Sequence, residues 1–452
     1  MNPEFERNVW LEMTPRRVLM MVGLLALTFA ASALANDEWG PSTVASWLYY
    51  LIVVVWGSRS AALSVAGEIR DRTWDGQRLS SLGAGTMMWG KLFGSTVYNW
   101  FGGAICLAVL LVNVATHLGL ATALIELLYY AGIGVIAQSA ALLASLIAVG
   151  RGQSHSRFEI FAYQLVGLAA AVAVYLVWSA ADPVAAMLSH KPAADFVAWW
   201  GAQIDARVFL LVSLIVFAGW TLVGCYREMR IELKMRNGVL VWLAFLAFIG
   251  PYVAGFDAWL SPDLQAWDPV SLRLLLAGTA YVGLTYLMVL LEPKDRVHYR
   301  WMEGQVRHGH IANALSGLQA WMMSYAAAFA VGVVLFFWLL HDVEAALVGQ
   351  PLVAAMLGFL TRDVSIFVLM QTLPGKRRGD FGALAILFAL YVLAPAILAG
   401  LHGEAFLFLF FPQLPAPTFI GAVAAWVQGI GVAAFALTRL ALTDRDGRPV
   451  PA

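Results

Sequence analysis

Apolar stretches long enough to cross a bilayer recur about twelve times along this chain, and the basic residues fall almost entirely in alternate gaps between them. A spanning helix needs ~20 predominantly apolar residues. The candidate spans are roughly 17–36, 43–66, 92–116, 121–149, 160–180, 207–225, 238–256, 271–291, 319–340, 345–371, 382–400 and 418–440. Hydrophobic residues make up 61% of the chain, and no gap exceeds about 30 residues. That leaves no room for a large soluble domain, and the fold class is an all-α polytopic membrane protein.

Lys and Arg accumulate in cytoplasmic loops, so the charges set an orientation. Of the 28 basic residues, all but Arg59, Lys191, Arg207, Arg273 and Arg362 fall in seven alternate segments. These run from Arg7, Arg16 and Arg17 at the start to Arg439, Arg445 and Arg448 at the end. The opposite segments lean acidic, with Asp37, Glu38, Asp257, Asp263, Asp268, Asp342 and Glu344. An even number of spans with both ends in the cytoplasm follows, and the net charge of zero averages two faces of opposite sign. The two cysteines, Cys106 and Cys225, lie in apolar segments and form no disulfide framework. Arg16-Arg17, an apolar run and Ala33-Leu34-Ala35 imitate a secretory signal. Glu4, Glu6 and Glu12 argue against one. Residues 1–15 are expected instead to form an amphipathic helix on the membrane surface, with Phe5, Val9, Trp10 and Met13 on one face.

Two six-span halves, 1–237 and 238–452, share landmarks. After span 2 comes Gly67-Glu68-Ile69-Arg70-Asp71-Arg72-Thr73-Trp74-Asp75-Gly76-Gln77-Arg78. After span 8 come Glu292-Pro293-Lys294-Asp295-Arg296 and Trp301-Met302-Glu303-Gly304-Gln305. Gly150-Arg151-Gly152 and Arg377-Arg378-Gly379 follow spans 4 and 10. An even number of spans in each half makes the repeat parallel. Segments 181–206 and 401–417, between the fifth and sixth span of each half, are too apolar for water and too Pro-broken to span. They are expected to be re-entrant or interfacial helices. Trp199, Trp200, Phe408 and Phe410 would form an outer gate.

The phosphate-loop-like Gly85-Thr86-Met87-Met88-Trp89-Gly90-Lys91 ends in Leu92, where a Ser or Thr would hold Mg²⁺. No catalytic or nucleotide site, metal or cofactor is therefore expected in the chain, and none of its features points to nucleic acid. Residues 67–82 form the best site candidate. Ile69, Trp74 and Leu79–Leu82 can touch the membrane, while Glu68, Asp71, Arg72, Asp75, Gln77 and Arg78 point to the cytoplasm. A charged helix pinned between two spans is a mechanical handle. The competing description is an ordinary solvated loop.

This stretch, with Trp89-Gly90-Lys91-Leu92, resembles the coupling-helix region of type-2 ABC export permeases. The chain is similar to that family also in its Asn2-Pro3-Glu4-Phe5 start and its six-span halves, here present twice. The resemblance implies separate ABC ATPase subunits, two copies, carrying ATP and Mg and docking on coupling helices. These would use Glu68, Asp71, Arg72, Asp75, Gln77 and Arg78 in the first half and Glu303, Gln305 and Arg307 in the second. It implies a bacterial inner membrane location, leaves room for periplasmic or additional subunits, and places the substrate path between the halves. The second half departs from the pattern, with Pro293, His298, His308 and His310. The alternative is an ion-coupled secondary transporter of the two-times-six-helix type. Against it, three residues separate Asp71-Arg72 from Gly76, and the central loop Arg227–Asn237 is short.

Overall fold

The computed structural model describes residues 2–34, 40–150, 157–181, 195–235, 237–260, 267–292, 294, 296–372, 379–412 and 418–442. The landmarks at Arg151 and Arg377-Arg378, and segments 182–194 and 413–417, lie outside the described residues. Among the described residues, eleven helices are long and apolar enough to span a membrane. The protein is an all-α polytopic membrane protein.

The elements of the first half are α1 (Pro3–Glu12), α2 (Pro15–Ala33), α3 (Gly40–Arg70), α4 (Trp74–Arg78), α5 (Ala84–Trp89), α6 (Val97–Leu118), α7 (Leu120–Gly150), α8 (Arg157–Ser179), β1 (Phe196–Trp199), β2 (Ala202–Asp205) and α9 (Ala206–Glu232). Those of the second are α10 (Leu240–Ala254), α11 (Pro269–Leu291), α12 (Arg296–Arg307), α13 (Ile311–Ser316), α14 (Ala320–Trp338), α15 (Val343–Thr372), α16 (Gly379–Gly400) and α17 (Phe419–Leu442). Two compact units result: Met1–Val197 with Gln203–Asn237, and Ala198–Ala202 with Gly238–Ala452.

Two expectations are corrected. The seventh span is shorter than expected: α10 has 15 residues, about 22 Å at 1.5 Å per residue, against a core of about 30 Å. Pro251 lies in its last turn and the helix stops at Gly255. Segment 196–205 is not a helix but a two-stranded hairpin, β1–β2. Its turn residues Trp200 and Gly201 both have positive φ, 52° and 74°, the handedness a two-residue hairpin loop requires. A tryptophan pays for that conformation with contacts. Trp200 N donates to Gly255 O at 2.8 Å, its indole Nε1 to Pro251 O at 3.2 Å, and Arg273 lies 4.7 Å from its ring.

Each unit is built around one long helix, α7 in the first and α15 in the second. α7 packs against α3, α8 and α9, and α15 packs most extensively against α17. Small residues let these backbones approach, as is usual where lipid supplies no hydrophobic drive between helices. A Cβ on Gly167 of α8 would sit 2.3 Å from the carbonyl oxygen of Ala137 on α7. In the second unit, a Cβ on Gly429 of α17 would sit 2.8 Å from Gly358 O on α15. Backbone cannot yield as a side-chain tip can. Gly167→Ala is therefore expected to cost about 1–3 kcal/mol, read as a lowered unfolding midpoint, whereas Gly219→Ala, with open space at its Cβ, should not.

α3 contains a π-helical stretch, Tyr50–Trp56. Widened turns of this kind are uncommon and often mark functional sites. In hydrocarbon each backbone polar group needs a partner, and here side-chain amides reach three carbonyls. Asn99 Nδ2 donates to Ile52 O at 3.0 Å, Gln138 Nε2 to Val53 O at 3.0 Å and Gln164 Nε2 to Val55 O at 2.8 Å. All three amide side chains are buried. They come from α6, α7 and α8, so one irregular stretch ties three neighbours to α3.

Candidate functional site

In the first unit, the residues that join α3 to α6 fold onto the N-terminal helix. α1 opens at Asn2, whose Oδ1 accepts from Glu4 N and Phe5 N at 3.1 and 3.2 Å. Pro3 at the first helical position suits a helix start. The Asn2 amide also donates to Thr86 O at 2.8 Å, which fixes the helix start to α5. Between α5 and α6 the chain makes a second π turn, Gly90–Gly94. Its glycines leave the groove in which α1 lies: a Cβ on Gly90 would meet Glu4 Cβ at 2.6 Å, and one on Gly94 would meet Asn8 Cβ at 2.9 Å.

Lys91, on that π turn, is 1% exposed and lies between two carboxylates. Its Nζ is 2.8 Å from Glu4 Oε1 and 2.5 Å from Glu68 Oε2, with the angles of ion pairs rather than aligned hydrogen bonds. Arg7 Nη2 bridges the same pair, at 2.8 Å from Glu4 Oε1 and 2.7 Å from Glu68 Oε1. Burial works against the charge on Arg7. The Glu68 hydrogen bond and the charges of Glu4 and Glu68 outweigh it and raise the pKa above its ordinary value. Gln77 Nε2 from α4 donates to Glu68 Oε1 at 2.7 Å, and the buried Trp74 ring lies 5.7 Å from Lys91 Nζ.

This clamp changes the assignment of several candidate residues. Glu68 and Gln77 were expected to point into solvent; both are held inside the cluster. Trp74 belongs to the protein core, where it packs in a cluster with Val65, Met87, Leu92 and Met229, and not to a membrane-facing side. Asp71, Arg72 and Asp75 are exposed. Arg78 lies 3.6 Å from Asp75 in a solvated i,i+3 pair, an interaction worth little by itself. α3 ends at Arg70, the chain reverses at Arg72, which has φ 59°, and Thr73 N returns to Glu68 O at 2.9 Å. That reversal sets α4 off as a separate five-residue helix carrying Asp75 and Arg78. Glu4, Arg7 and Lys91 were not among the candidates. In the sequence Lys91 stood out only within the phosphate-loop-like stretch and the Trp89-Gly90-Lys91-Leu92 resemblance, with no sign of the carboxylates it meets.

The second unit builds its connection differently. Glu292 corresponds by landmark to Glu68, and its two carboxylate oxygens accept from Ala320 N and Trp321 N at 2.9 and 3.0 Å, capping α14. Lys294 pairs with Asp380 at 2.8 Å. In place of a five-residue helix stand α12 and α13. Glu303 and Arg307 form an exposed i,i+4 pair at 2.5 Å, and Gln305 accepts from Asn313 at 3.3 Å. His298 meets Gly317 O at 2.8 Å. In both units a Glu at the end of one span organises the start of the next, through Lys91 in one and through a helix N-terminus in the other.

The expected gate residues lie within the second unit. Trp199 Nε1 donates to Tyr252 O at 3.0 Å. Phe408 and Phe410 are half-buried at the end of a short 3₁₀ helix, Glu404–Leu409, where Phe408 lies against Gly421.

One charged group in this unit sits deep within a span. Arg362 and Asp363 of α15 are 2% and 0% exposed. Asp363 accepts from Arg362 Nε at 2.9 Å, from Tyr286 Oη at 2.8 Å and from Tyr391 Oη at 2.5 Å. Thr361, Val364, Ser365 and Val368 of the same helix line an apolar cavity of about 380 Å³ with Tyr325 and Trp321, and Arg362, Asp363 and Gln428 are not among its lining residues. Comparison of the chain with protein-family models, with curated proteins and with solved structures finds no match to any of them.

Proposed function

We propose that this chain is the transmembrane permease subunit of an ATP-driven exporter of the type-2 ABC kind, with two permease halves in one polypeptide. Separate ATPase subunits bind ATP and Mg and dock on its cytoplasmic face. The observation that carries this reading is the handle α4 with the turn before it, presented between two spans with Asp71, Arg72 and Asp75 turned to solvent and Arg78 partly exposed. The clamp of Glu4, Arg7, Glu68, Gln77 and Lys91 binds it rigidly to α1, α3 and the start of α6. A push on such a handle moves two spans and the interfacial helix together. The charge alternation supports a cytoplasmic location for this end, and a bacterial inner membrane belongs to the same proposal.

The test is charge reversal. An Asp75→Lys, Arg78→Glu double variant is expected to lose the ATPase partner or uncouple it, because truncating a partner of a docked charge pair costs about 2–5 kcal/mol. Membrane insertion should be unchanged, because neither side chain belongs to the buried clamp. Co-purification of an ATPase subunit and ATP-dependent transport are the measurements, and wild-type behaviour of the variant would reduce α4 to a solvated face. The same reversal at Glu303 and Arg307 should have a smaller effect. Orientation is checked by impermeant thiol labelling: cysteines at Asp257 or Asp342 should react from outside, and one at Arg230 should not.

A second reading, an ion-coupled secondary transporter, is favoured by the buried Arg362–Asp363 pair. Ionisable groups in mid-span commonly mark ion or substrate pathways. Substrate movement down a proton or sodium gradient by the purified, reconstituted chain alone would establish it in place of the first.

A further inference from the structure

The hydrogen-bonding capacity of the Arg362–Asp363 pair is unevenly used. Asp363 has three donors on its two oxygens. The guanidinium spends Nε on Asp363, and Nη1 donates to the neutral side-chain oxygen of Gln428 at 3.0 Å. Nη2 is buried and has no hydrogen-bond partner among the described residues. Phe359 and Tyr391 cover the guanidinium, with ring centroids 4.6 and 5.1 Å from its central carbon. Aromatic contacts of this sort stabilise the charge but do not replace a missing in-plane acceptor. A buried donor without an acceptor is costly, and a charged one in a membrane span more so.

The Nη1–Nη2 edge of an arginine is the fork that takes two oxygens of a carboxylate or phosphate. Here that edge holds the amide oxygen of Gln428 at Nη1, and Nη2 has no acceptor among the described residues. We propose that it is a binding site for the anionic group of an amphipathic molecule, a carboxylate or a phosphate monoester on an apolar tail. The anion fills Nη2 and takes Nη1 from Gln428, so a charge-assisted pair replaces a neutral one. An apolar tail is required because the site lies inside the span Ala345–Met370.

The displaced group has a second connection. Gln428 Nε2 donates to Leu409 O at 2.9 Å, holding the 3₁₀ segment Glu404–Leu409 to α17. Phe408 of that segment rests on Gly421, where an added Cβ would be 3.4 Å from Phe408 Cβ. Loss of the Arg362–Gln428 bond frees the amide to turn, so anion binding and release of this segment are linked. The inference concerns binding by this chain alone and does not rest on ATPase docking.

The experiment uses the purified full chain in nanodiscs of neutral lipid, without nucleotide or partner. The probes are dodecanoate, dodecyl phosphate and dodecanol, with binding followed by native mass spectrometry. One or both anions are expected to bind at least about tenfold more tightly than the alcohol, the worth of one charge-assisted hydrogen bond. Comparison of the two anions distinguishes a carboxylate from a phosphate preference. Arg362→Gln should abolish the difference between anion and alcohol. Gln428→Leu guards against a variant that merely fails to fold, because it removes the internal competitor. It should strengthen anion binding several-fold and leave dodecanol binding unchanged, an outcome no purely structural role would produce. With Phe408→Cys as reporter, dodecanoate should speed thiol labelling and dodecanol should not. Equal binding of anion and alcohol to the wild-type chain, or weaker anion binding by Gln428→Leu, would overturn the proposal.

Discussion

Replacing Asp363 by Leu should lower the stability of the second unit by about 3–5 kcal/mol, the usual consequence of leaving a buried charge without its partner. Among the described residues, Arg362 would then retain only Gln428 as an in-plane acceptor, and Tyr286 and Tyr391 would each lose the oxygen they bind. The matched expectation is that Arg362→Leu, Asp363→Leu together recover most of the loss, since well-packed apolar residues often replace a buried ion pair at little cost. Unfolding in nanodiscs, followed by tryptophan fluorescence, measures both. Additive losses in the double variant would show that the tyrosine and glutamine bonds, not the charge pair, hold these helices.

The second large effect is expected at Lys91→Met. This change removes the cation between Glu4 and Glu68 and leaves two largely buried carboxylates. Arg7 still touches both, but its side chain is 44% exposed, and water screens its contribution. A cost near the lower end of the range for breaking a buried pair, about 3 kcal/mol, is expected. The loss should appear first as release of α1, because Asn2, Glu4 and Asn8 are the groups that hold it to α5 and the π turn. A cysteine at Asn8 should become reactive in the Lys91→Met background and stay protected in the parent. Unchanged protection would show that the glycine groove alone retains the helix. If α4 is the docking handle, the same variant should also weaken ATPase coupling without touching Asp75 or Arg78.

Local patterns determined the main architecture. Runs of ~20 apolar residues set most of the spans, and Pro3 and Pro15 after their polar N-caps mark the starts of α1 and α2. Glu68 and Glu292 repeat in sequence and both organise the span that follows. The short seventh span was legible in principle from Gly250-Pro251 and Gly255. The hairpin was harder to read, because Trp200 is a poor residue for a positive φ and only its contacts with Gly255, Pro251 and Arg273 hold it there.

Tertiary structure decided the roles of the polar groups. Hydropathy records that Lys91, Gln138 and Arg362 interrupt apolar runs, but not what each one meets. Arg7 finds Glu68 across 61 residues of sequence, Gln138 finds Val53 across 85, and Arg362 finds Gln428 across 66. No helical period encodes such pairings, and the charge pattern says only which side of the membrane a residue favours. The sequence by itself therefore determined that the chain spans the bilayer many times and where its basic ends cluster. The folded chain alone decided that Glu68 braces a clamp instead of facing solvent, and that Arg362 Nη2 has no acceptor among the described residues, because both depend on which helices pack together and how closely their glycines let them approach.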